Sequence, residues 1–273
     1  MNVARETSAE LNGGEVAPGE TLLECRDVTL TVPGRRLCEG LSFSVRGGEC
    51  WVLVGPNGAG KTTLLATLAG LREATAGAVL VAGQPIRAWG TRERARKIGL
   101  LPQDSFDAFP DTALEIVLSG RHPHTPRWSR ESAQDVALAK AALVAVDMGH
   151  AARRNVQTLS GGERRRVAFA LLLAQDPDVM LLDEPTNHLD VAHEVRTLDL
   201  LGERVRDHRH AVVMALHDLA LATRHATHAV LFGFDRVVAG PACELLSADR
   251  LSVLFGQPLV AFAHPRGTVF VPN

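Results

Sequence analysis

Short, unbroken runs of apolar residues recur along the chain, and a glycine or a polar residue soon follows each run. The runs cover residues 50–54, 98–101, 179–182 and 214–216. Runs of this length without polar interruption predict strands that are buried on both faces, as in a parallel sheet covered by helices. The groups that follow them should then meet at one edge of that sheet, where open α/β sheets bind ligands.

Two other patterns lie between these runs. Residues 22–48 alternate apolar and polar, with turns at Pro33-Gly34 and Gly47-Gly48, and residues 78–81 continue in the same style. This alternation predicts antiparallel, half-buried strands. Helical spacing of apolar residues predicts helices over 61–68, 91–97, 112–119, 129–146 and 218–225. Two short strands are expected near 228–239, followed by a small helix-rich segment.

Together the patterns predict an α/β fold. It should have a mostly parallel core sheet, an antiparallel β subdomain, and a helical lobe inserted at about residues 106–158. The 273 residues suit one such domain over 21–265. We expect residues 1–20 to be a flexible tail and 266–273 a C-terminal tail.

Composition excludes some partners and compartments. The formal net charge is −2, so the chain lacks the basic footprint of a nucleic-acid-binding protein. Its four cysteines are scattered without C-x-x-C spacing, which favours reduced thiols in the cytosol. No apolar stretch approaches the length of a membrane span, and residues 1–20 contain no apolar core of a signal peptide. If the chain acts at a membrane, we expect it to dock on other chains.

The predicted strand over residues 50–54 leads into a glycine-rich loop that fits G-x-x-x-x-G-K-[ST], a phosphate-binding motif. Its backbone N–H groups and the following helix N-terminus would face phosphate, Lys61 would reach the outer phosphates, and Thr62 would bind Mg²⁺. A plain glycine turn is the alternative, but strand, lysine and threonine are all in place. The predicted nucleotide-binding residues are Gly55, Pro56, Asn57, Gly58, Ala59, Gly60, Lys61, Thr62 and Thr63.

Two adjacent carboxylates, Asp183 and Glu184, end the strand over 179–182. They can divide the work of a hydrolase. Asp183 would hold Mg²⁺, directly or through water, and Glu184 would act as the general base on the attacking water. A solvated acidic pair is the alternative, and the phosphate loop makes the catalytic reading the stronger one.

A second glycine motif, Leu159-Ser160-Gly161-Gly162-Glu163, has no lysine of its own. It resembles the signature of ABC-type ATPases. The phosphate loop, Gln103, this motif, the acidic pair and His217 follow one another along the chain in the order found in that family. The resemblance runs from about residue 22 to about residue 262, and it implies the P-loop NTPase fold of these ATPases. It implies that Ser160, Gly161, Gly162 and Glu163 of one subunit close over ATP held by a second copy, so that the dimer forms on ATP.

The resemblance also implies roles for single residues. Gln103 matches the glutamine that touches Mg²⁺ and water, His217 the histidine that reaches the γ-phosphate, and Asp190 the aspartate of a turn along the subunit interface. Glu163 stands where glutamine is commoner. Val32 stands where many members stack an aromatic ring on adenine, and the chain has no tyrosine. We therefore expect apolar contact with adenine and weak discrimination between ATP and GTP.

Within this family, the chain resembles the subgroup of ATPase subunits that power uptake of metal chelates, namely ferric siderophores, haem and cobalamin. This resemblance rests on residues 101–104, 109–110, 120–124 and 251–256. It implies permease subunits in the membrane, a periplasmic binding protein that acts indirectly, and a peripheral position on the cytoplasmic face of the inner membrane. A soluble ABC ATPase acting on ribosomes or DNA is the alternative. An ordinary P-loop kinase would leave residues 160–162 and His217 unexplained.

Overall fold

The computed structural model describes residues 19–103, 111–126, 129–233, 236–264 and 267–273. The strands are β1 (Thr21–Val32), β2 (Arg35–Arg46), β3 (Cys50–Val54), β4 (Ala76–Val81), β5 (Gln84–Pro85), β6 (Ile98–Leu101), β7 (Val179–Asp183), β8 (Ala211–Ala215), β9 (His228–Phe232), β10 (Val237–Pro241), β11 (Leu259–His264) and β12 (Gly267–Pro272). The α-helices are α1 (Lys61–Leu68), α2 (Thr91–Lys97), α3 (Ala113–Ser119), α4 (Ala133–Ala145), α5 (Gly161–Gln175), α6 (Val191–Val205), α7 (Leu219–His225), α8 (Ala242–Leu245) and α9 (Ala248–Phe255). Within these ranges, no helix combines the length and apolarity needed to cross a membrane.

The core sheet has the strand order β10-β9-β3-β8-β7-β6. All neighbours are parallel except β10, which runs antiparallel to β9. Both faces of β3 are covered: Val52 and Val54 belong to one apolar cluster, and Trp51 and Leu53 to another. This double burial explains why the parallel strands read as unbroken apolar runs, and it confirms the predicted parallel core.

The alternating residues near the N-terminus form a separate four-stranded antiparallel sheet, ordered β2-β1-β4-β5. The chain turns between β1 and β2 at Pro33-Gly34, as predicted, and pairs Val28 with Leu41 across the hairpin. One face of this sheet shares an apolar cluster with α1 and with the core sheet. The predicted antiparallel subdomain is therefore confirmed, and it lies against the helix that follows the glycine loop.

The helical lobe consists of α3 and α4 packed on α5, with Val117, Leu143 and Phe169 buried between them. Its predicted beginning at residues 106–110 lies outside the described residues. Helix α4 begins at residue 133 rather than at 129, because Ser132 caps it. The Ser132 hydroxyl accepts a hydrogen bond from the Asp135 N–H (3.1 Å), and the Asp135 carboxylate accepts one from the Ser132 N–H (3.0 Å). This reciprocal cap is a stronger start signal than apolar spacing alone.

The C-terminal segment differs from the prediction. Helices α8 and α9 are present, but β11 and β12 then pair as an antiparallel hairpin that places Val260 opposite Val271. Residues 267–273 are thus paired with the chain before them and do not form a separate tail. Valine, threonine and phenylalanine dominate this stretch and favour strands, a signal that the helical reading overlooked. The other predicted tail, at residues 1–20, lies almost wholly outside the described residues.

Candidate functional site

The groups that follow four parallel strands meet at one edge of the core sheet. Gly55 follows β3, Gln103 lies beyond β6, Asp183 ends β7 and His217 lies beyond β8. A cavity of about 350 Å³ opens there. It is lined by Val32, Leu37, Asn57, Gly58, Ala59, Gly60, Lys61, Thr62, Thr63, Gln103, Glu184 and His217.

The glycine loop wraps back toward the start of α1. Gly58 and Gly60 have φ angles of 73° and 115°, in the left-handed region that only glycine adopts easily, and Gly60 is the residue before the helix. Lys61 is buried, and its ammonium donates hydrogen bonds to the carbonyl oxygens of Gly55 (2.8 Å) and Pro56 (3.1 Å). The lysine is therefore folded across the mouth of the loop, where an anionic ligand would meet it.

Burial also acts on the charge of this lysine. It lowers the pKa of Lys61, and the carboxylates of Glu184 and Asp183 oppose that shift by attraction. A bound polyphosphate would add further negative charge beside the ammonium and favour its charged form. The protein alone therefore stabilises the charged form of Lys61 only in part.

Asp183 is the buried acid of the site. One of its carboxylate oxygens, Oδ1, is buried without a hydrogen-bond partner in the described part of the chain. Burial raises the pKa of Asp183, and a hydrogen bond with Thr62 opposes the rise. A carboxylate with an orphaned oxygen beside a hydroxyl is the oxygen donor set that Mg²⁺ prefers. These residues therefore fit a divalent cation.

Glu184 is surrounded by hydrogen-bonding side chains. Gln103 donates to its Oε2 from 3.1 Å, Asn187 donates to the same oxygen, and His217 Nε2 bonds Oε1. The backbone of Glu184 has a φ of 49°, which is uncommon for a residue with a side chain. Such strain persists only where the surroundings hold it, and here it aims the carboxylate into the cavity. Asn187 was not among the predicted site residues, although it lies three residues after Glu184.

The second glycine motif lies at the start of α5, and none of its residues lines the cavity of its own chain. Ser160 precedes the helix: its hydroxyl accepts a hydrogen bond from the Glu163 N–H (3.2 Å), and Glu163 Oε2 accepts one from the Ser160 N–H (2.7 Å). The Ser160 backbone N–H and then the Ser160 side chain, both hydrogen-bonded to this carboxylate, lower the pKa of Glu163. The acid that replaces the commoner glutamine therefore completes a capping box at the start of α5.

The two glycines of the motif differ in their surroundings. A Cβ added at Gly161 would meet nothing within 4 Å, whereas one added at Gly162 would lie 2.8 Å from the carbonyl oxygen of His188. The motif therefore packs directly against the turn over residues 187–190. Asp190 ends that turn and caps α6, accepting a hydrogen bond from the His193 N–H (3.0 Å), and it too lies off the cavity.

Val32 lines the cavity as the sequence suggested, and Leu37 provides a second apolar wall that was not foreseen. Leu37 lies on the other strand of the hairpin, and its side chain comes within 3.1 Å of where a Cβ on Gly60 would stand. Only the pairing of β1 with β2 brings it there. The signal in the sequence was one more apolar residue after a turn, which alone indicates nothing about a ligand.

The site thus comprises two groups of residues: one that lines a cavity at the phosphate loop, and a glycine motif whose residues do not line that cavity. Residues 38–187 match the ABC transporter family.

The chain belongs to the ABC transporter family.

Its curated relatives in that family include import proteins. The chain is 42% identical over 257 residues to the hemin import ATP-binding protein HmuV of Nocardia farcinica, covering 91% of this chain and 88% of that protein. It is 36% identical over 235 residues to the ferric enterobactin transport ATP-binding protein FepC of Escherichia coli, covering 86% and 87% respectively.

A solved structure supports the fold as an ABC ATPase. An inward-facing conformation of a protein described as a metal-chelate type ABC transporter superposes with a TM-score of 0.80 at 27% identity, covering 93% of this chain and 98% of the matched chain. The predicted family, fold class and ATPase activity are therefore confirmed. The roles of single residues stay predictions.

Proposed function

We propose that this chain is the ATP-hydrolysing subunit of an importer of metal chelates. The observation that carries the proposal is the convergence of the glycine loop, Glu184, Gln103 and His217 on one cavity, with Asp183 hydrogen-bonded to Thr62 of that loop, in a chain whose relatives are import ATP-binding proteins. A kinase site would leave the capped glycine motif on α5 without a purpose.

The protein's own groups account for binding and for the proton transfer. Backbone N–H groups of the glycine loop and the Lys61 ammonium bind the phosphates of ATP. Thr62 and Asp183 would hold Mg²⁺, with Gln103 nearby. The ion would neutralise charge that develops on the phosphate oxygens. Glu184 accepts the proton of the attacking water, while Gln103 and His217 orient that carboxylate.

The cavity is complete only when a second copy closes it. Ser160 and Gly162 lie off the cavity of their own chain and present a hydroxyl and a helix N-terminus. In a two-fold dimer, the motif of each copy faces the ATP held by the other, because such an interface is self-complementary. ATP thereby joins the two copies, and loss of the γ-phosphate releases them.

Adenine is held by apolar contact in this proposal. Val32 and Leu37 line the cavity beside the glycine loop and carry no group that reads a purine edge. Among the described residues, this wall offers no aromatic ring to stack on and no hydrogen-bonding side chain, so the site distinguishes ATP from GTP weakly.

The work of the dimer is done on other chains. Permease subunits in the membrane would receive the closing motion through residues near Gln103, and a periplasmic binding protein would deliver the cargo. The ATPase would then sit at the cytoplasmic face of the inner membrane without touching the chelate. Haem, a ferric siderophore and cobalamin are the candidate cargoes, and the site itself carries no feature that selects one.

The test is to co-purify the chain with its membrane partner in detergent, to reconstitute the complex, and to measure ATPase rate with each cargo on its binding protein. Stimulation by one chelate is the expected result, and it would identify the cargo. Recovery of ribosomes or DNA instead of a membrane protein would contradict the importer and favour a soluble ABC ATPase.

A further inference from the structure

Arg165 is a buried cation beside the catalytic groups. It lies on α5, just over one helical turn after Ser160, and only 4% of its surface is exposed. A buried charge without compensation costs several kcal/mol, so its surroundings must supply acceptors.

Those acceptors are backbone carbonyl groups from two separate segments of the site. Arg165 Nη1 donates to the carbonyl oxygens of Pro102 and Gln103, the latter at 3.1 Å. Its Nη2 donates to the carbonyl oxygens of Asp183 (2.6 Å) and Glu184 (2.9 Å). One guanidinium thus binds two separate segments of the chain, at the backbone of three residues of the site: Gln103, Asp183 and Glu184.

The geometry suits arginine and no other side chain. The guanidinium is planar and carries five N–H donors in a fixed fork, so its two terminal nitrogens can serve two segments at once. The carbonyls concerned lie at or just beyond the ends of neighbouring strands β6 and β7, where the sheet ladder no longer pairs every group. A lysine ammonium at the same place would act as a single point donor.

The contacts bear on catalysis through position. Glu184 holds a left-handed backbone conformation, and its side chain accepts a hydrogen bond from Gln103 across the two segments. Displacing either carbonyl would turn the side chain that follows it. The positive charge of Arg165 also lies close enough to Asp183 to oppose the rise that burial causes in the pKa of that acid.

We propose that Arg165 is a positioning residue for ATP hydrolysis, whose guanidinium fixes the backbone of Gln103 and of the Asp183-Glu184 pair to the first turns of the signature helix. The inference rests on the proposed roles of Gln103 and Glu184. Because α5 also begins with the motif that closes over the second copy's ATP, Arg165 ties the catalytic groups of one site to the motif that completes the other.

The test compares Arg165→Gln and Arg165→Lys with the wild type by steady-state ATPase kinetics. We expect kcat to fall about 10- to 100-fold, as for other residues that orient catalytic groups, with an unchanged KM for ATP. Amide hydrogen exchange at Glu184, whose N–H is bonded to the Ala215 carbonyl at 3.2 Å, should become faster in both variants.

Arg121→Gln is the matched control. Arg121 is also largely buried and donates to a backbone carbonyl, that of Ala174 (2.8 Å), and to Asp135 (3.1 Å), but it lies in the helical lobe. This variant should lower the melting temperature without changing kcat per folded molecule or exchange at Glu184.

Each outcome decides a different point. Wild-type turnover in Arg165→Gln, with an active Arg121→Gln, overturns the positioning role alone. Full activity in Arg165→Lys shows that charge suffices and overturns the carbonyl-binding argument. If the wild type itself does not hydrolyse ATP, the proposed function fails and this inference falls with it.

Discussion

The two glycines of the signature motif give a sharp test of the packing described above. Gly161→Ala and Gly162→Ala add the same methyl group to successive residues at the start of α5. At Gly161 the methyl meets open space within its own chain, whereas at Gly162 it lies 2.8 Å from the His188 carbonyl oxygen. Stability should therefore respond differently to the two changes.

The magnitudes follow from these surroundings. Replacing a helical glycine by alanine stabilises by up to about 1 kcal/mol, and both variants share that gain. Forcing a methyl group into a filled space costs roughly 1–3 kcal/mol, a cost that applies only to Gly162→Ala. The two variants should thus differ by about 1–3 kcal/mol in unfolding free energy, with roughly 2–4 °C in melting temperature for each kcal/mol.

The assay is thermal and urea unfolding of the isolated chain without nucleotide, followed by ATPase measurements on both variants. We expect Gly161→Ala to unfold at or above the wild-type midpoint and Gly162→Ala below it. Both should lose ATPase activity, since a methyl group at either residue would stand between the motif and the second copy's ATP. Equal midpoints for the two variants would refute the close packing of Gly162 on the turn over 187–190.

Three further changes test other parts of the site. Asp183→Asn should raise the melting temperature at neutral pH, because burial raises the pKa of Asp183 and its charged form destabilises the fold. The gain in melting temperature over the wild type should shrink as the pH falls toward that pKa, and a gain that grows in acid would contradict this prediction. Val32→Tyr should tighten ATP binding by roughly 0.5–1.5 kcal/mol through stacking, or about 2- to 12-fold in Kd by titration, and unchanged affinity would exclude Val32 from the adenine wall. Glu163→Ala should lower the unfolding free energy by about 1 kcal/mol through loss of the capping box, whereas Glu163→Gln should keep it, and equal losses would argue that charge rather than the cap matters.

The core of the fold was predictable because its signals are local. An unbroken apolar run such as residues 50–54 can be satisfied only by burial on both faces, and the glycine loop and helix after it carry their own turn and start signals. The alternation over residues 22–48 likewise specified antiparallel strands. In contrast, the hairpin of β11 and β12 depends on pairing across residues 265–266, and the helical reading of the C-terminal segment missed its strand-forming composition.

The site was predictable in its motifs and less so in its supporting contacts. The positions of Lys61, Asp183 and His217 follow from strands that end at one edge of a sheet. Leu37 and Arg165 could not be assigned from sequence, because their roles depend on which segments the fold brings beside them. Arg165 lies in a run of three arginines, and the run alone does not indicate that its second member is buried against four carbonyl groups.

The central claim is that each ATP site needs residues from two copies, and its most direct test is the mass of Glu184→Gln in solution with and without ATP. General bases contribute about 10²–10⁴-fold to rate, so this variant should bind ATP, turn over very slowly and accumulate as a closed dimer. We predict twice the monomer mass with ATP and Mg²⁺, and monomer mass with ADP or after a further Lys61→Ala change. A monomer at saturating ATP would contradict the shared site.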